Sequence, residues 1–215
     1  MRTFSIIMPT FNRPQFINRA IIAILEQDYP KWELIIQNGG ESIAHLMPKD
    51  DRIKLFEEKD KGITDAMNKG MAKSTGDIIC WANDDDAMNQ DTLSFVNDNL
   101  TADWGYGIIE MTDGTRSFTW GNVGEHATFS NLVSGNFVPQ PAVFWTRKIY
   151  NEIGGMDESL DYTSDYEYWM RLWKKSEPQK WDRLMAFYYM HPDQITQKDT
   201  AEQIRQAKET SKKYA

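Results

Sequence analysis

Three consecutive carboxylates, Asp84, Asp85 and Asp86, close the run Trp81-Ala82-Asn83-Asp84-Asp85-Asp86, just after the apolar stretch Ile78-Ile79-Cys80. The apolar stretch reads as a buried strand, which puts the acidic run at a strand's end. Like charges at such spacing repel, and a buried ionised carboxylate needs a partner. A divalent cation makes the repulsion useful, because hard cations such as Mg2+ prefer carboxylate oxygen. A metal held by one or two carboxylates takes its remaining ligands from water and substrate phosphates. The run therefore points to a metal-assisted site for a phosphate-bearing substrate. A solvated acidic turn is the plainer alternative. Elsewhere, Asp65, Asn68 and Lys69 fall on one helical face at i, i+3 and i+4, where an Asp–Lys pair also steadies the helix weakly.

The elements that must position these groups alternate between strand and helix. Phe4 to Met8 reads as a buried strand stopped by Pro9, and Pro14 to Gln27 has apolar residues at helical spacing. Strands are expected at Leu34–Ile36, 53–56, 78–81 and 107–109, with helices at 63–72 and 92–100 between them. Such alternation implies an α/β fold with a mostly parallel, Rossmann-like sheet and helices on both faces. In such sheets ligands bind beyond the carboxyl ends of the strands. Thr10-Phe11-Asn12-Arg13, Gln37-Asn38 and the acidic run all stand at such ends. Residues 113–135 are rich in Gly, Thr, Ser and Asn and read as an irregular segment over the site. Beyond it a strand is expected at 142–145, a helix at 147–153 closed by Gly154-Gly155, and a strand at 184–190. Ser164-Asp165-Tyr166-Glu167 fits a capping box opening another helix, and residues 201–214 read as an exposed terminal helix.

Composition narrows the class. The 215 residues suit one domain of two halves, about 1–110 and about 111–215, and 40% apolar residues suffice for a core. A net charge of −8 argues against nucleic acid as a partner. The lone Cys80 excludes an internal disulfide and a cysteine zinc cluster. No stretch approaches a transmembrane segment, so a cytoplasmic protein is expected. Eight tryptophans and nine tyrosines fill a core and also suit the floor of a sugar or nucleobase site.

Several runs, in order, resemble the inverting family-2 glycosyltransferases of the GT-A fold. Phe4 through Arg13 is similar to their first strand and nucleotide loop. Asp60-Lys61-Gly62-Ile63-Thr64-Asp65-Ala66-Met67-Asn68-Lys69-Gly70 resembles a segment of a bacterial-type branch, and the acidic run resembles their metal motif. Gln140-Pro141-Ala142-Val143-Phe144, Ile153 through Asp157, and Asp165 through Leu172 resemble their smaller, acceptor-side subdomain. The resemblance implies metal-dependent transfer of a sugar, a hexose or deoxyhexose, from a nucleotide-diphosphate sugar to a glycan acceptor. A UDP-sugar is favoured, with GDP or dTDP possible, and the cofactor is Mn2+ or Mg2+. The implied donor contacts are Pro9, Thr10, Phe11, Arg13, Gln37, Asn38, Asp65, Asn68, Lys69, Asn83, Asp84 and Asp85. Metal contacts are implied for Asp86 first, then Asp85 and His191, although three aspartates permit two alignments. Gln140, Tyr166, Glu167 and Trp169 are implied on the acceptor side, with Asp165 as the general base. A helix start would lower the pKa of Asp165, and a closed apolar site would raise it. Arg171 is expected to pair with a carboxylate of the fold.

One departure stands out. Family members commonly carry an Asp after the second strand to recognise the base, and here Gln37-Asn38 stand in its place. Two other readings follow. A nucleotidyltransferase would want a glycine-rich, lysine-containing loop, which Thr10-Phe11-Asn12-Arg13 is not. A catalytically silent sugar-nucleotide or glycan-binding module would tolerate the lost Asp, but has no need of Asp165 or the acidic run.

Overall fold

Strands β1 (Phe4–Thr10) and β2 (Trp32–Asn38) are buried at every residue because both sheet faces are covered. The computed structural model describes residues 1–194 and 199–215. Side chains of β1 alternate between two cores, as a strand's period of two requires. Ile6 and Met8 pack with Ile17, Ile21 and Ile24 of α1 (Pro14–Leu25). Ile7 packs on the other face with Met67 and Met71 of α2 (Ile63–Lys73). Each such fully buried aliphatic side chain contributes about 1.5–3 kcal/mol. Helix α2 lies so close to β1 because Gly70 faces Ile7, whose Cγ2 would stand 2.4 Å from any Cβ placed there.

Strand β3 (Ile53–Glu57) forms one edge, and β4 (Ile78–Trp81) pairs with β1, so the order β3-β2-β1-β4 is parallel throughout. The sheet continues through β8 (Val143–Thr146), β6 (Trp104–Thr112) and β9 (Gln179–Tyr189) to the short β5 (Ala87–Met88). Strand β8 is antiparallel to both neighbours, whereas the long β6–β9 ladder is parallel. Helices α3 (Thr92–Asn99) and α5 (Arg147–Ile153) fall where the periodicity places them.

Three expectations need correction. Residues 113–135 are not irregular: they hold β7 (Ser117–Trp120), a hairpin partner of β6, and α4 (Phe129–Ser134), capped by Thr128. A turn held by Asp113 joins the hairpin, its carboxylate accepting from the Thr115 and Arg116 amides. There is no capping box at α6 (Ser164–Lys175): Ser164 lies inside the helix, and the side chain of Thr163, which precedes it, makes no capping hydrogen bond. Glu167 instead turns to Arg171 Nε (2.8 Å), the carboxylate pair expected for that arginine. Finally, α7 (Thr200–Tyr214) is docked rather than loose, with Gln206 and Thr210 buried. Gln206 accepts from the Tyr162 amide, Ser211 donates to the Val133 carbonyl, and the Tyr214 hydroxyl donates to Glu167 at 2.5 Å.

Candidate active site

The carboxyl ends of β1 and β4 converge on the acidic run. Asp84 is fully buried and accepts from the Thr10 hydroxyl at 2.6 Å and from the Arg13 guanidinium. Arg13 also donates to Asp85 (2.7 Å). The partner that three adjacent carboxylates require is thus supplied in part by Arg13, from the loop after β1. Burial still outweighs Arg13 at Asp84 and pushes its pKa up to about 6. Asp86 is raised as well, by burial and then by the neighbouring Asp85 charge. Its two oxygens are occupied by Asn83 Nδ2 (2.8 Å) and the Tyr189 amide (3.1 Å).

Asp85 is buried too, but it is the one of the three carboxylates that lines the larger of two clefts. The end of β9 brings His191 to it, with Nε2 3.0 Å from Asp85 Oδ2 and the ring stacked on Phe16 at 4.3 Å. Arg19 braces this corner, donating to the Asp85 carbonyl while its guanidinium lies 3.6 Å above the Tyr189 ring.

Two clefts open from this corner. The smaller, about 710 Å3, is lined by Pro9, Thr10, Phe11 and Arg13 on one side and by Asp60, Gly62 and Ile63 on the other. Gly62 holds φ at 137°, a value other residues rarely adopt, and ends the chain's approach to α2. The N-terminus of α2, whose unpaired N–H groups favour anions, starts at this cleft. The larger cleft, about 890 Å3, shares Arg13 and Ile63 with it and reaches Trp81, Asn83, Asp85 and Gln140. Asp165, at the start of α6, lines the larger cleft beside Tyr166. Burial raises the Asp165 pKa to about 6, against the lowering effect of the Tyr166 amide that donates to it at 2.7 Å. The enclosed surroundings prevail over the helix start. Gln140 spans the floor, donating to the Trp81 carbonyl and accepting from Asn83.

Several residues implied by the resemblance lie elsewhere. Gln37 is fully buried and accepts from Lys73, and Asn38 folds back on the Gly40 amide and the Glu41 carbonyl. Asp65 accepts from Lys69 and the Lys61 amide, and Asn68 ties α2 to Met156. None of these five lines either cleft. Trp169 is fully buried, its ring stacked on Trp104, and Glu167 is 1% exposed. Both belong to the interior of the second half of the chain. Asp60 is the residue that sequence reasoning passed over. Its Oδ2 lies 1.9 Å from where a Gly39 Cβ would be, so it covers the end of β2. A carboxylate from the loop before α2 thus stands at the end of β2. The glycine at position 39 was the available signal, since only a residue without Cβ leaves that space.

A family model for glycosyl transferase family 2 matches residues 5–120. The chain belongs to glycosyl transferase family 2. The matched part of this family 2 chain runs from β1 through β7. It is 26% identical over 180 residues to a PGL/p-HBAD biosynthesis glycosyltransferase of Mycobacterium bovis, covering 78% of this chain and 68% of the relative. An uncharacterized glycosyltransferase of Haemophilus influenzae is 36% identical over 100 residues, 43% of this chain and 40% of that one. Among solved structures, S. aureus TarS 1-349 in complex with UDP-GlcNAc superimposes with a TM-score of 0.75 at 16% identity, over 92% of this chain and 61% of that one. The mannosyltransferase PcManGT from Pyrobaculum calidifontis, in complex with GDP-Man and Mn2+, gives 0.66 at 17% identity, over 89% and 58%. At these identities the likeness shows the fold, which is GT-A as expected. The chain spans about three-fifths of the length of these two structures. No helix of the described residues is long and apolar enough to cross a membrane.

The cation implied by the family can be tested against the residues present. The described residues hold no cluster of three or more His, Cys, Asp or Glu groups that would bind a metal unaided. They do offer a carboxylate and an imidazole side by side, Asp85 and His191, and Asp85 lines the larger cleft. His191 Nδ1 is buried and has no hydrogen-bond partner among the described residues. A mixed oxygen–nitrogen pair suits Mn2+, with substrate oxygens and water completing the shell. The donor set fits.

Proposed function

We propose that this chain transfers a sugar from a nucleoside-diphosphate sugar to a hydroxyl of a glycan-bearing acceptor, by a single displacement that inverts the anomeric centre. The observation that carries the reading is the meeting of two clefts at Arg13 and Ile63, with Asp85 and Asp165 in only the larger one. The smaller cleft takes the nucleotide. Asp60 accepts a hydrogen bond from a base that carries a ring N–H, as uracil, thymine and guanine do and cytosine does not. The start of α2 and Arg13 attract the diphosphate. Asp85 and His191 would hold a divalent cation, which when bound neutralises charge on the departing diphosphate. Asp84 keeps Arg13 and Thr10 in place, and Asp86 keeps Asn83 against Gln140.

The larger cleft takes the acceptor. Asp165 receives the proton of the attacking hydroxyl, and a pKa near 6 leaves it ionised yet basic at neutral pH. Complexes of structural neighbours with UDP-GlcNAc and with GDP-Man and Mn2+ support the donor class. Calorimetry with UDP, GDP, dTDP and CDP, with and without Mn2+, on the wild type and Asp85→Ala tests it. One of the first three should bind, weakened about tenfold or more by metal removal or by the substitution, with CDP weakest. Absence of binding by every nucleotide would overturn the transferase reading in favour of a silent glycan-binding module.

A further inference from the structure

Helix α2 lines the smaller cleft through Ile63 and Ala66, and α6 carries Asp165 into the larger one. A chain of specific bonds joins the two helices. Thr64 and Asn68 stand one turn apart on one face of α2. The Asn68 amide makes two bonds to the same distant residue. Its Oδ1 accepts from the Met156 amide (2.8 Å), and its Nδ2 donates to the Met156 carbonyl (3.0 Å). Nδ2 also lies 3.1 Å from Glu158 Oε1. Only a side chain that both donates and accepts can satisfy the two polar groups of one backbone unit. Gly155 permits the approach, since a Cβ there would stand 2.5 Å from Asn68 Oδ1. One turn earlier on α2, the Thr64 hydroxyl donates to the Leu160 carbonyl (2.9 Å).

The segment held in this way leads into α6 and Asp165. From its other side Arg171 of α6 donates to the Ile153 carbonyl (2.9 Å) and the Gly155 carbonyl (2.7 Å). The turn at 153–156 is therefore gripped by α2 and by α6 at once. The segment also meets the smaller cleft directly, where a Cβ on Gly62 would lie 3.8 Å from Asp161 Oδ1. The start of α6 supplies no anchor of its own: no side chain caps it, and the Asp165 carboxylate accepts from the adjacent Tyr166 amide. Transfer nevertheless needs Asp165 at a fixed distance from the donor, because a displacement of about 1 Å can cost about 100-fold in rate.

We propose that Thr64 and Asn68 are positioning residues: through Leu160 and Met156 they set the place of Asp165 relative to the donor cleft. Helix α2 is then both a wall of the nucleotide site and the gauge from which the proton acceptor is placed. This role rests on the assignment of Asp165 as that acceptor.

The test uses the whole chain with Asn68→Asp or Thr64→Val, each close to the original in shape. Asn68→Asp keeps the bond from the Met156 amide but sets a carboxylate against the Met156 carbonyl and Glu158. Thr64→Val removes only the bond to Leu160. A double-mutant cycle in melting temperature at pH 8 reads the seat of Asp165. There the enclosed carboxylate is ionised at a cost that Asp165→Asn removes, so this substitution raises the melting temperature of the otherwise unaltered chain. In either background the rise should shrink to about half or less, whereas a general loss of stability would leave it whole. By calorimetry, affinity for UDP and GDP should stay within about twofold of the wild type. With the UDP- or GDP-hexose that the wild type hydrolyses fastest, kcat should fall roughly 10- to 100-fold at unchanged donor KM. Adding Glu158→Gln to Asn68→Asp removes the like charge, and part of the lost kcat should return. An undiminished rise in both backgrounds would overturn the proposal. So would a nucleotide affinity that falls in step with kcat, which would return Asn68 to the donor site. A wild type that binds no nucleotide, with the cycle still coupled, would instead count against the transferase reading.

Discussion

Replacing Asp165 with Asn should stabilise the protein at the pH where it removes activity. Burial moves the carboxyl from 3.8 to about 6, so the fold disfavours its ionised form. At 1.36 kcal/mol per pKa unit, this amounts to about 2–3 kcal/mol at pH 8. An amide of the same shape carries no charge to desolvate. The sign follows from proton counting. Between about pH 4 and 6 the folded state binds more protons than the unfolded chain, so wild-type stability falls as pH rises through that window. The gap between Asp165→Asn and the wild type should therefore be full at pH 8 and shrink to about 1 kcal/mol at pH 4.5. Thermal denaturation should show the Asp165→Asn variant melting roughly 4–12 °C above the wild type at pH 8. In parallel, wild-type kcat/KM should rise with pH and level off above an apparent pKa of about 6, and the variant should lose roughly 100- to 10,000-fold. A variant no more stable than the wild type at pH 8, or a gap that ignores pH, would refute the reasoning.

Two further substitutions probe positions outside the acidic run. Gly39→Ala places a Cβ 1.9 Å from Asp60 Oδ2, and the flexible carboxylate end must swing away. Nucleotide affinity should fall about tenfold by calorimetry while stability changes by less than about 1 kcal/mol. Tyr214→Phe removes the 2.5 Å hydrogen bond to Glu167, a buried group that keeps Arg171 as its other partner. Urea denaturation should register a loss of about 1–2 kcal/mol.

The first half of the fold was readable because its elements obey one rule each. Strands β1, β2 and β4 are continuous apolar runs, and α1 and α2 carry apolar residues at helical spacing. The second half hides its order. Ser117 to Trp120 is exposed along three of its four residues, so β7 shows no core pattern of its own and is a strand only by pairing with β6. The residues at Ser164 to Glu167 match a capping box in spelling, but tertiary partners on α7 and Arg171 outcompete the local bond for Glu167. At the site, Asp84 to Asp86 and Asp165 stand out by residue type. The division of labour among them does not, because it depends on Arg13, Asn83 and Tyr189 arriving from distant parts of the chain. Asp60 was invisible for the same reason: it acts where β2 ends, some twenty residues earlier.

The bonds that dock α7 have a consequence for the order in which the molecule acquires its parts. Gln206 holds the Tyr162 amide, Thr210 meets Thr163, and Tyr214 holds Glu167, so the approach to Asp165 and the turn beyond it are fastened from the last fifteen residues described. A ribosome delivers the chain from its N-terminus. Residues 4–81 supply strands β1 to β4 and most of the smaller cleft's lining before these fasteners emerge. The nascent protein passes through a stage in which strands β1 to β4 are present while the helix bearing Asp165 is unfastened. Assembly of the larger cleft therefore comes after that of the parallel strands β1 to β4, because Asp165 and the α7 side chains that fasten its surroundings lie later in the chain.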